Sequence, residues 1–443
     1  MFLYNSLTRK KEKLIKKNVK MYVCGVTVYD RPHLGHALST VTFDVLHRYL
    51  EYKGYKVTRV QNFTDVDDKI INKSKELNIT AQEVADRYIE TFFEDMDALG
   101  VRRADVHPRA TEDMNEIIEL ISSLIDNKAA YSSNGSVYFD VSFASDYGKL
   151  SGRNIEEEID GTRIENDPDK KNVEDFALWK KAPASEPHWK SPWGIGRPGW
   201  HIECSAMAKK HLGDTIDIHG GGLDLVFPHH ENEIAQTCSN NSNDKMANYW
   251  VHNGFLTMNK EKMSKSLGNI VSITDALKHY NGQVLRLALL SSHYKQPLDW
   301  NEKLLDQQKN TLDKWYSLYE ESYSQKKIPY CFESLLDDLN TPEYISKLHE
   351  LYNEAFKGDK DKKETFNYAC RLIGIFNENK KSWENYKKKS VKISEKNIIN
   401  KINERLEARK KGDFKLADKI RIELLNEGVL IEDKKDKTNW KYK

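Results

Sequence analysis

The sequence has no long apolar run. Nowhere in its 443 residues do apolar side chains approach the ~18 in succession that a membrane-spanning helix needs. The first twenty residues are rich in lysine and lack the apolar core of a secretory signal. These absences argue against a membrane-spanning or exported protein, and we expect a cytoplasmic one with no membrane partner.

Cysteine is scarce. Its five copies, at positions 24, 204, 238, 331 and 370, are odd in number and widely separated. Small disulfide-linked scaffolds instead carry an even number of closely spaced cysteines. We therefore exclude a disulfide framework and expect reduced thiols, some of them available to bind a metal.

Net charge is almost absent, with 69 Lys and Arg against 68 Asp and Glu. Residues 377–443 nevertheless contain 20 Lys and Arg against 12 Asp and Glu, a net charge of +8, which leaves −7 for residues 1–376. A basic end on an acidic body suits a protein that holds a phosphate backbone. A lysine-rich solvated surface explains the asymmetry equally well, so charge alone decides nothing.

The remaining composition is that of a folded, multidomain protein. Hydrophobic residues make up 39% of the chain and charged residues 31%, and the mean hydropathy is −0.73. A chain of this length exceeds what one hydrophobic core usually organises, so we expect roughly two to four structural units.

The first sixty residues alternate between strand and helix patterns. Residues 18–29 favour a strand, residues 34–50 place apolar side chains at helical spacing, and residues 56–63 favour a second strand. This order predicts an α/β fold built on a parallel sheet. The strand pattern returns at residues 215–219 and 249–255, after a polar, turn-rich insertion that includes a strand at residues 136–143.

Helices dominate the rest of the chain. A capping box at residues 80–83 predicts a helix that runs to about Leu99, and from residue 275 onward helix follows helix, which predicts a bundle. Residues 377–397 have few aliphatic and many charged side chains, so we predict a linker there. Two further helices at 398–409 and 414–425 and a short strand at 429–431 follow.

Residues 33–36 (His-Leu-Gly-His) lie where the first strand gives way to the first helix. Backbone N–H groups and the positive end of a helix favour a phosphate at such a turn. His33 and His36 add side-chain donors, and Gly35 lets a nucleotide lie against the backbone because it has no side chain. The pattern is short, however, and two turn histidines without a function fit it as well.

Residues 262–266 (Lys-Met-Ser-Lys-Ser) form a second candidate nucleotide motif. Two lysines three residues apart, with small hydroxyl neighbours and Gly268 beyond them, suit a loop that closes on a triphosphate. A solvated lysine-rich loop is the alternative. Both motifs together, in this order and around a strand–helix–strand pattern, make a specific pair.

The pair resembles that of class I aminoacyl-tRNA synthetases, in which isoleucine more usually stands where this chain has Leu34. The resemblance implies a Rossmann-like catalytic domain in which the carboxylate of an amino acid attacks the α-phosphate of ATP and pyrophosphate leaves. Catalysis then depends on positioning and on stabilising negative charge, with Mg²⁺ bound to ATP. The implied catalytic residues are His33, His36, Lys262 and Lys265, and the implied ATP-binding residues are Gly35, Ser264, Lys265 and Ser266.

Two cysteines, a histidine and a glutamate lie in patterns that can bind a metal. Cys24 ends the first strand, Cys204 lies in the stretch 199–204, and His229 and Glu233 are four residues apart, which places both on one helix face. Two thiolates, an imidazole and a carboxylate suit zinc. Each cysteine can also be a small buried hydrophobe, and His230 can take the place of His229.

Residues 200–204 and 219–233 resemble cysteinyl-tRNA synthetases almost letter for letter. The resemblance implies one Zn²⁺ per chain, held by Cys24, Cys204, His229 and Glu233, and a cysteine pocket walled by Thr64, Trp200 and His219. Zinc can take the cysteine sulfur as a thiolate ligand, which neither serine nor alanine can offer. A specificity gap of ~4–5 orders of magnitude needs ~6–7 kcal/mol, so we expect no editing domain.

Three other motifs in the sequence do not support a different enzyme class. Residues 194–199 fit a dinucleotide-binding glycine pattern, but Pro198 lies inside it. Residues 219–222 are similar to a lipase oxyanion loop, yet no Gly-x-Ser-x-Gly sequence supplies a nucleophile. His230 and Glu231 begin a zinc-protease pattern whose second histidine is missing.

The resemblance spans nearly the whole chain and implies an order of segments. These are the first half of the catalytic domain (1–110), a connective insertion (111–195), the second half with the zinc site (196–255), a stem-contact region with the lysine loop (256–300), a helical bundle (301–380) and a small, basic α+β module that binds the anticodon (381–443). In the last segment an exposed Trp440 could stack on a base, and a capping aromatic on a small domain is an equally good interpretation. The implied partners are ATP, L-cysteine and tRNA, and we expect a monomer.

Two rivals share part of this pattern. A ligase that joins activated cysteine to a glucosamine-inositol acceptor has the same ATP and zinc motifs, but it is shorter and lacks a basic C-terminal module. A catalytically silent RNA- or zinc-binding descendant of a synthetase would be expected to lose metal ligands or loop lysines, and this chain has lost none.

Overall fold

The structure, a computed structural model, describes residues 1–152, 167–240, 245–263, 267–323, 330–389, 391, 393–433 and 438–442. The chain divides into two units: the first comprises Met1–Leu312 and Ser324–Ile375, and the second comprises Asp313–Tyr323 and Phe376–Lys443. Within the described ranges, no helix is long and apolar enough to cross a membrane.

The first unit contains both strands and helices. Its strands are β1 (Phe2–Asn5), β2 (Lys10–Lys13), β3 (Asn18–Thr27), β4 (Lys56–Thr64), β5 (Ala130–Ser133), β6 (Ser136–Phe139), β7 (Phe176–Lys181), β8 (Trp189–Ser191), β9 (Gly194–Pro198), β10 (Ile216–Gly222), β11 (Ala247–Asn253), β12 (Leu256–Met258), β13 (Glu261–Lys262) and β14 (Leu298–Trp300). Its helices are α1 (Leu34–Tyr52), α2 (Asp68–Leu77), α3 (Ala81–Ala98), α4 (Met114–Asp126), α5 (Trp200–Leu212), α6 (Glu231–Asn240), α7 (Ile273–His279), α8 (Gly282–Leu289), α9 (Glu302–Trp315, whose last residues belong to the second unit), α10 (Thr341–Phe356) and α11 (Lys360–Leu372).

Four parallel strands form the central sheet, in the order β11-β10-β3-β4. Every residue of β4 from Arg59 to Thr64 is buried, so both faces of this strand are covered. Such strands belong to parallel sheets with helices on both sides. The predicted α/β fold and the strands expected near residues 18, 56, 215 and 249 are confirmed.

Helix α1 connects β3 to β4 and extends the predicted helix to Tyr52. Thirteen of its nineteen residues are buried, because it packs against β4, α8 and α11 rather than against the sheet alone. It ends before Gly54, whose φ of +77° is a left-handed conformation that glycine adopts freely. The predicted capping box of α3 is confirmed too: Thr80 accepts from the backbone N–H of Glu83, and the Glu83 carboxylate accepts from that of Thr80.

The insertion folds around a five-stranded antiparallel sheet in the order β5-β6-β7-β9-β8. The strand predicted for residues 136–143 is too long, since β6 ends at Phe139. The Asp140 side chain accepts from the backbone N–H of Ser142 and begins a short 3₁₀ turn at Val141–Phe143. A local side-chain bond of this kind ends a strand that alternation alone would continue.

Asp44, in the middle of α1, is a fully buried carboxylate bound by two arginines. Arg286 of α8 donates to its Oδ2 at 2.5 Å and Arg48 at 2.8 Å. Arg286 also donates to the carbonyls of Leu99 and Ile373, so the network ties α1 and α8 to the ends of α3 and α11. Burial would raise the pKa of Asp44, but the arginines hold it well below its usual range.

The second unit contains α12 (Lys380–Lys389), α13 (Glu395–Lys410), α14 (Phe414–Asn426), β15 (Val429–Asp433) and β16 (Thr438–Tyr442). The linker predicted for residues 377–397 is therefore wrong, since α12 and the start of α13 lie within it. Trp383 is 2% exposed, its ring stacks on Tyr316 with centroids 4.8 Å apart, and its Nε1 donates to Asp313. One buried aromatic side chain anchors a helix that average composition does not reveal.

Trp440 is half-buried, which favours the capping aromatic over an exposed base-stacking side chain. It pairs with Ile431 across the antiparallel strands β15 and β16 and packs against the apolar core of α13 and α14. In the same module, Nη1 and Nη2 of Arg405 in α13 donate to the two carboxylate oxygens of Asp433 at 2.8 and 2.9 Å. The indole therefore contributes to the core of this module.

Candidate active site

The predicted metal ligands come from four separate stretches that meet beside the central sheet. Cys24 lies on β3, Cys204 in the second turn of α5, Glu233 in the first turn of α6, and His229 just before α6. All four are buried. The carboxyl-terminal ends of parallel strands are where open α/β sheets place their ligands.

The donor atoms of Cys24, Cys204, His229 and Glu233 all lie within 4.8 Å of one another. The two sulfurs are 3.9 Å apart, and Nε2 of His229 is 3.0 Å from Oε1 of Glu233. A tetrahedral zinc ion requires ~3.8 Å between two sulfurs and ~3.3 Å between a nitrogen and an oxygen. The spacing of these donors fits that ion.

A second overlapping group of donors consists of Cys24, His219, His230 and Glu233. Both imidazoles have a histidine partner at Nδ1: His252 lies 2.8 Å from His230, and His201 lies 2.9 Å from His229. The first group supplies two thiols rather than one, and thiolates are the softer ligands that zinc favours. The chemistry of the donors therefore favours His229 over His230.

The electrostatics of the cluster favour ionised ligands. Burial raises the pKa of Cys24, whereas the hydrogen bond from Cys24 lowers the pKa of Cys204 to about 6. Burial opposes the ionisation of Glu233, but His219 and His229 lower its pKa well below the usual value. Burial likewise opposes the charging of His229, while Glu233 and Cys204 raise its pKa to about 10. A thiolate and a carboxylate are therefore favoured among these donors, and both are charged ligands that a buried divalent cation would stabilise.

The residues expected to wall the cysteine pocket lie at different distances from this cluster. The Trp200 ring stacks on His229 with centroids 4.2 Å apart. His219 is fully buried on β10, with Nε2 3.5 Å from the Cys24 sulfur and 3.4 Å from Oε2 of Glu233. Thr64 is the last residue of β4, where its carbonyl accepts from Val28.

Sequence reasoning did not identify the side chains that surround the donors. Nδ1 of His201 lies 2.9 Å from Nδ1 of His229, and Gln236 donates to the His201 carbonyl. On the other side, His252 links His230 to the Ser6 hydroxyl. The pairing of β11 with β10 places His252 opposite Gly221 and so brings this histidine to the site. No local sequence pattern predicts that position.

The His33–His36 turn caps α1 with both of its histidines. Nδ1 of His33 accepts from the backbone N–H of Gly35, and Nδ1 of His36 accepts from that of His33. A neutral imidazole whose Nδ1 accepts carries its proton on Nε2. The rings stack with centroids 3.7 Å apart, so two Nε2–H donors lie together at the helix end that attracts anions.

The second nucleotide motif adjoins this turn. A Cβ at Gly35 would lie 3.0 Å from the His33 ring and 3.6 Å from Cε of Met263. Lys262 is described only through its backbone, in β13. Ser264, Lys265 and Ser266 lie outside the described residues, so their predicted roles stay predictions.

Two solved aminoacyl-tRNA synthetases have a similar fold. A Mycobacterium tuberculosis methionyl-tRNA synthetase in complex with methionyl-adenylate matches with a TM-score of 0.54 and 15% identity, covering 84% of this chain and 83% of that one. A leucyl-tRNA synthetase from Agrobacterium radiobacter, in a ternary complex with tRNA, matches with a TM-score of 0.58 and 10% identity, covering 80% and 83%. These likenesses concern the fold alone.

Sequence comparison gives a narrower result. A family model described as the tRNA synthetases class I (C) catalytic domain matches residues 10–310. The cysteine–tRNA ligase of Pelagibacter ubique (strain HTCC1062) is 51% identical and covers 100% of this chain and 99% of its own length. That of Thermococcus gammatolerans is 44% identical, with 99% and 98% coverage. The chain therefore belongs to the cysteine–tRNA ligases, a family of class I aminoacyl-tRNA synthetases.

Proposed function

We propose that this ligase activates L-cysteine with ATP to form cysteinyl-adenylate and pyrophosphate, and then transfers the cysteinyl group to the 3′ end of its tRNA. The observation that carries this proposal is the convergence of two thiols, an imidazole and a carboxylate beside a sheet whose adjoining turn places two imidazoles at the start of a helix. We further propose that it acts as a monomer in the cytoplasm.

The two nucleotide motifs bind ATP and stabilise the charge that develops on its phosphates. His33 and His36 direct their Nε2–H groups toward phosphate oxygens, as their Nδ1 atoms are held by the backbone. Lys262 and Lys265 neutralise the charge that builds up as pyrophosphate leaves, together with Mg²⁺. Gly35, Ser264 and Ser266 contact the nucleotide through backbone and hydroxyl groups.

Selection of cysteine falls to the metal cluster. Zn²⁺ would be held by Cys24, Cys204, His229 and Glu233, and when bound it supplies a Lewis-acid centre that takes the substrate sulfur as a thiolate. Trp200 and His219, which contact these donors, and Thr64 at the end of β4 would form the pocket walls. Serine and alanine lack a thiol, so discrimination of ~4–5 orders of magnitude needs no hydrolytic editing site.

Recognition of tRNA would involve the basic C-terminal module of α13, α14, β15 and β16. Its lysines can hold phosphates at several points, and such binding weakens steeply with salt. Arg405 and Arg409 both pair with Asp433, so neither is our candidate for a phosphate contact.

Two assays in sequence test the function. Cysteine-dependent exchange of pyrophosphate into ATP is expected, followed by charging of tRNA with cysteine. Exchange without charging would favour the glucosamine-inositol ligase, and no exchange would favour the silent descendant. Serine should support exchange at less than about 10⁻⁴ of the cysteine rate.

Replacing Lys265 by alanine should slow adenylate formation by about 10²-fold or more, because a charge that acts mainly in the transition state is lost. Cysteine binding should change little, since the proposed sulfur ligand is elsewhere. Pyrophosphate exchange measured over a range of cysteine concentrations separates kcat from KM for cysteine. Lys260→Ala, in the hairpin between β12 and β13, is the matched control; an equal rise in KM and fall in kcat for K265A would contradict the assigned role.

A further inference from the structure

A buried carboxylate on α3 holds the chain just beyond the lysine motif. Oγ1 of Thr274, in the first turn of α7, donates to both oxygens of Asp95 at 3.2 Å. Asp95 is only 4% exposed. Neither residue belongs to the metal cluster or to the two nucleotide motifs.

Asp95 is anchored at the carboxyl end of α3, which is fixed in the core. A Cβ at Gly282 would lie 1.9 Å from the carbonyl oxygen of Ala98, so α8 begins in direct contact with the end of α3. The next carbonyl, that of Leu99, accepts from the buried Arg286. Asp95 is therefore a rigid point from which Thr274 is held.

The residues before Thr274 bind the turn that carries His33. The backbone N–H of Leu34 donates to the carbonyl of Val271 at 3.1 Å, and that of Ile273 donates to the carbonyl of Pro32 at 3.0 Å. His33 and Ser272 thus face each other in an isolated antiparallel bridge. Any displacement of residues 271–273 is transmitted to His33 through these two bonds.

Charge acts in both directions on this connection. Burial raises the pKa of Asp95 to about 6, the Thr274 hydrogen bond and Arg31 oppose this rise, and Asp275 of α7 adds to it. Ser272 caps α7 by accepting from the backbone N–H of Asp275 at 3.0 Å. The turn, the bridge and the start of α7 thus form one hydrogen-bonded unit, with Asp95 as its attachment to α3.

We propose that Asp95 and Thr274 are positioning residues for adenylate formation. By fixing α7 to α3, they keep residues 271–273 hydrogen-bonded to the His33 turn. The turn holds the Nε2–H donors of its histidines in place. This inference rests on the proposed function of that turn. Misplacement of a donor by about 1 Å can cost about 10²-fold in rate. Loss of the Thr274 hydroxyl should therefore lower kcat for pyrophosphate exchange by about 10- to 100-fold.

The test compares Thr274→Val with Thr274→Ser, which keeps the hydroxyl, and with Thr91→Val. Thr91 lies on α3 too, but its hydroxyl bonds only within that helix, to the Arg87 carbonyl. We expect T274V to lower kcat without changing KM for cysteine, T274S to stay near wild type, and T91V to match wild type. Asp95→Ala should resemble T274V, and the double variant should be no worse than either single variant.

Hydrogen exchange supplies a readout that does not depend on activity. The amides of Leu34 and Ile273 should exchange faster in T274V than in T91V, since they donate across the bridge. Unchanged protection of both amides in T274V, or a T274V kcat equal to that of T91V, would overturn the inference. The proposed function would still stand in that case, provided that the wild-type protein catalyses pyrophosphate exchange. A wild-type protein without pyrophosphate exchange activity would instead refute the proposed function. Should T274V fail to fold, D95A and Asp95→Asn, which keeps an acceptor oxygen, give the same comparison.

Discussion

Replacing Cys204 by serine should remove most of the bound zinc and slow cysteine-dependent pyrophosphate exchange by about 10³-fold or more. Cys204 is one of only two thiols in the cluster, and a hydroxyl is a harder and weaker zinc ligand. A loss of 10³-fold corresponds to about 4 kcal/mol of transition-state stabilisation. Zinc per chain, measured by atomic absorption on the purified protein, and exchange kinetics at saturating ATP would record both effects.

Cys238→Ser is the matched control for this experiment. Cys238 lies on α6, the helix that carries Glu233, but it is half-buried and outside both groups of candidate metal ligands in the described part of the chain. The C238S variant should keep its zinc and its activity. A C204S protein with full zinc content and full exchange would remove the metal from our account of cysteine selection.

Replacing Asp44 by alanine should reduce the free energy of unfolding of the first unit by about 3–5 kcal/mol, which is the usual cost of removing one partner of a buried ion pair. Arg286 would be left fully buried without its carboxylate. Because the pKa of Asp44 falls on folding, its contribution is present above the ordinary aspartate pKa and is lost only as the pH drops toward the lowered value. The deficit of D44A should therefore stay constant at neutral pH. Urea denaturation followed by tryptophan fluorescence measures it.

Asp97→Ala provides the comparison for an exposed ion pair. Asp97 pairs with Arg103 at 2.5 Å, but its side chain is 57% exposed. Exposed pairs contribute about 0–1 kcal/mol, so D97A should unfold close to wild type. If D44A and D97A were equally stable, the buried network would not be the anchor of α1 that its geometry indicates.

Local patterns predicted the elements that carry the candidate site. Apolar spacing located β3, α1 and β4, and the residues after β3 marked the turn at the start of α1. Those patterns depend on neighbours within one or two turns of chain, which is the range over which periodicity is informative. They failed where a single side chain decides the local structure against the composition or alternation of the segment around it. Trp383 in α12 and Asp140 at the end of β6 are the two examples.

The assembly of the site was beyond such patterns. Cys24 and Glu233 are 209 residues apart, and β10 pairs with the distant β3 as well as with β11, the next strand in sequence. The choice between His229 and His230 likewise depends on which imidazole lies near both cysteines in the folded chain. Family resemblance suggested the donors in advance, because it carries information about distant contacts that spacing does not.

The long separation between the donors also has a consequence for how the protein is made. Chain synthesis proceeds at about 5–20 residues per second, so Cys24 is incorporated roughly 10–40 s before Glu233. During that interval the proposed set of four donors is incomplete. A zinc ion held by all four would therefore be bound only after α6 has been synthesised.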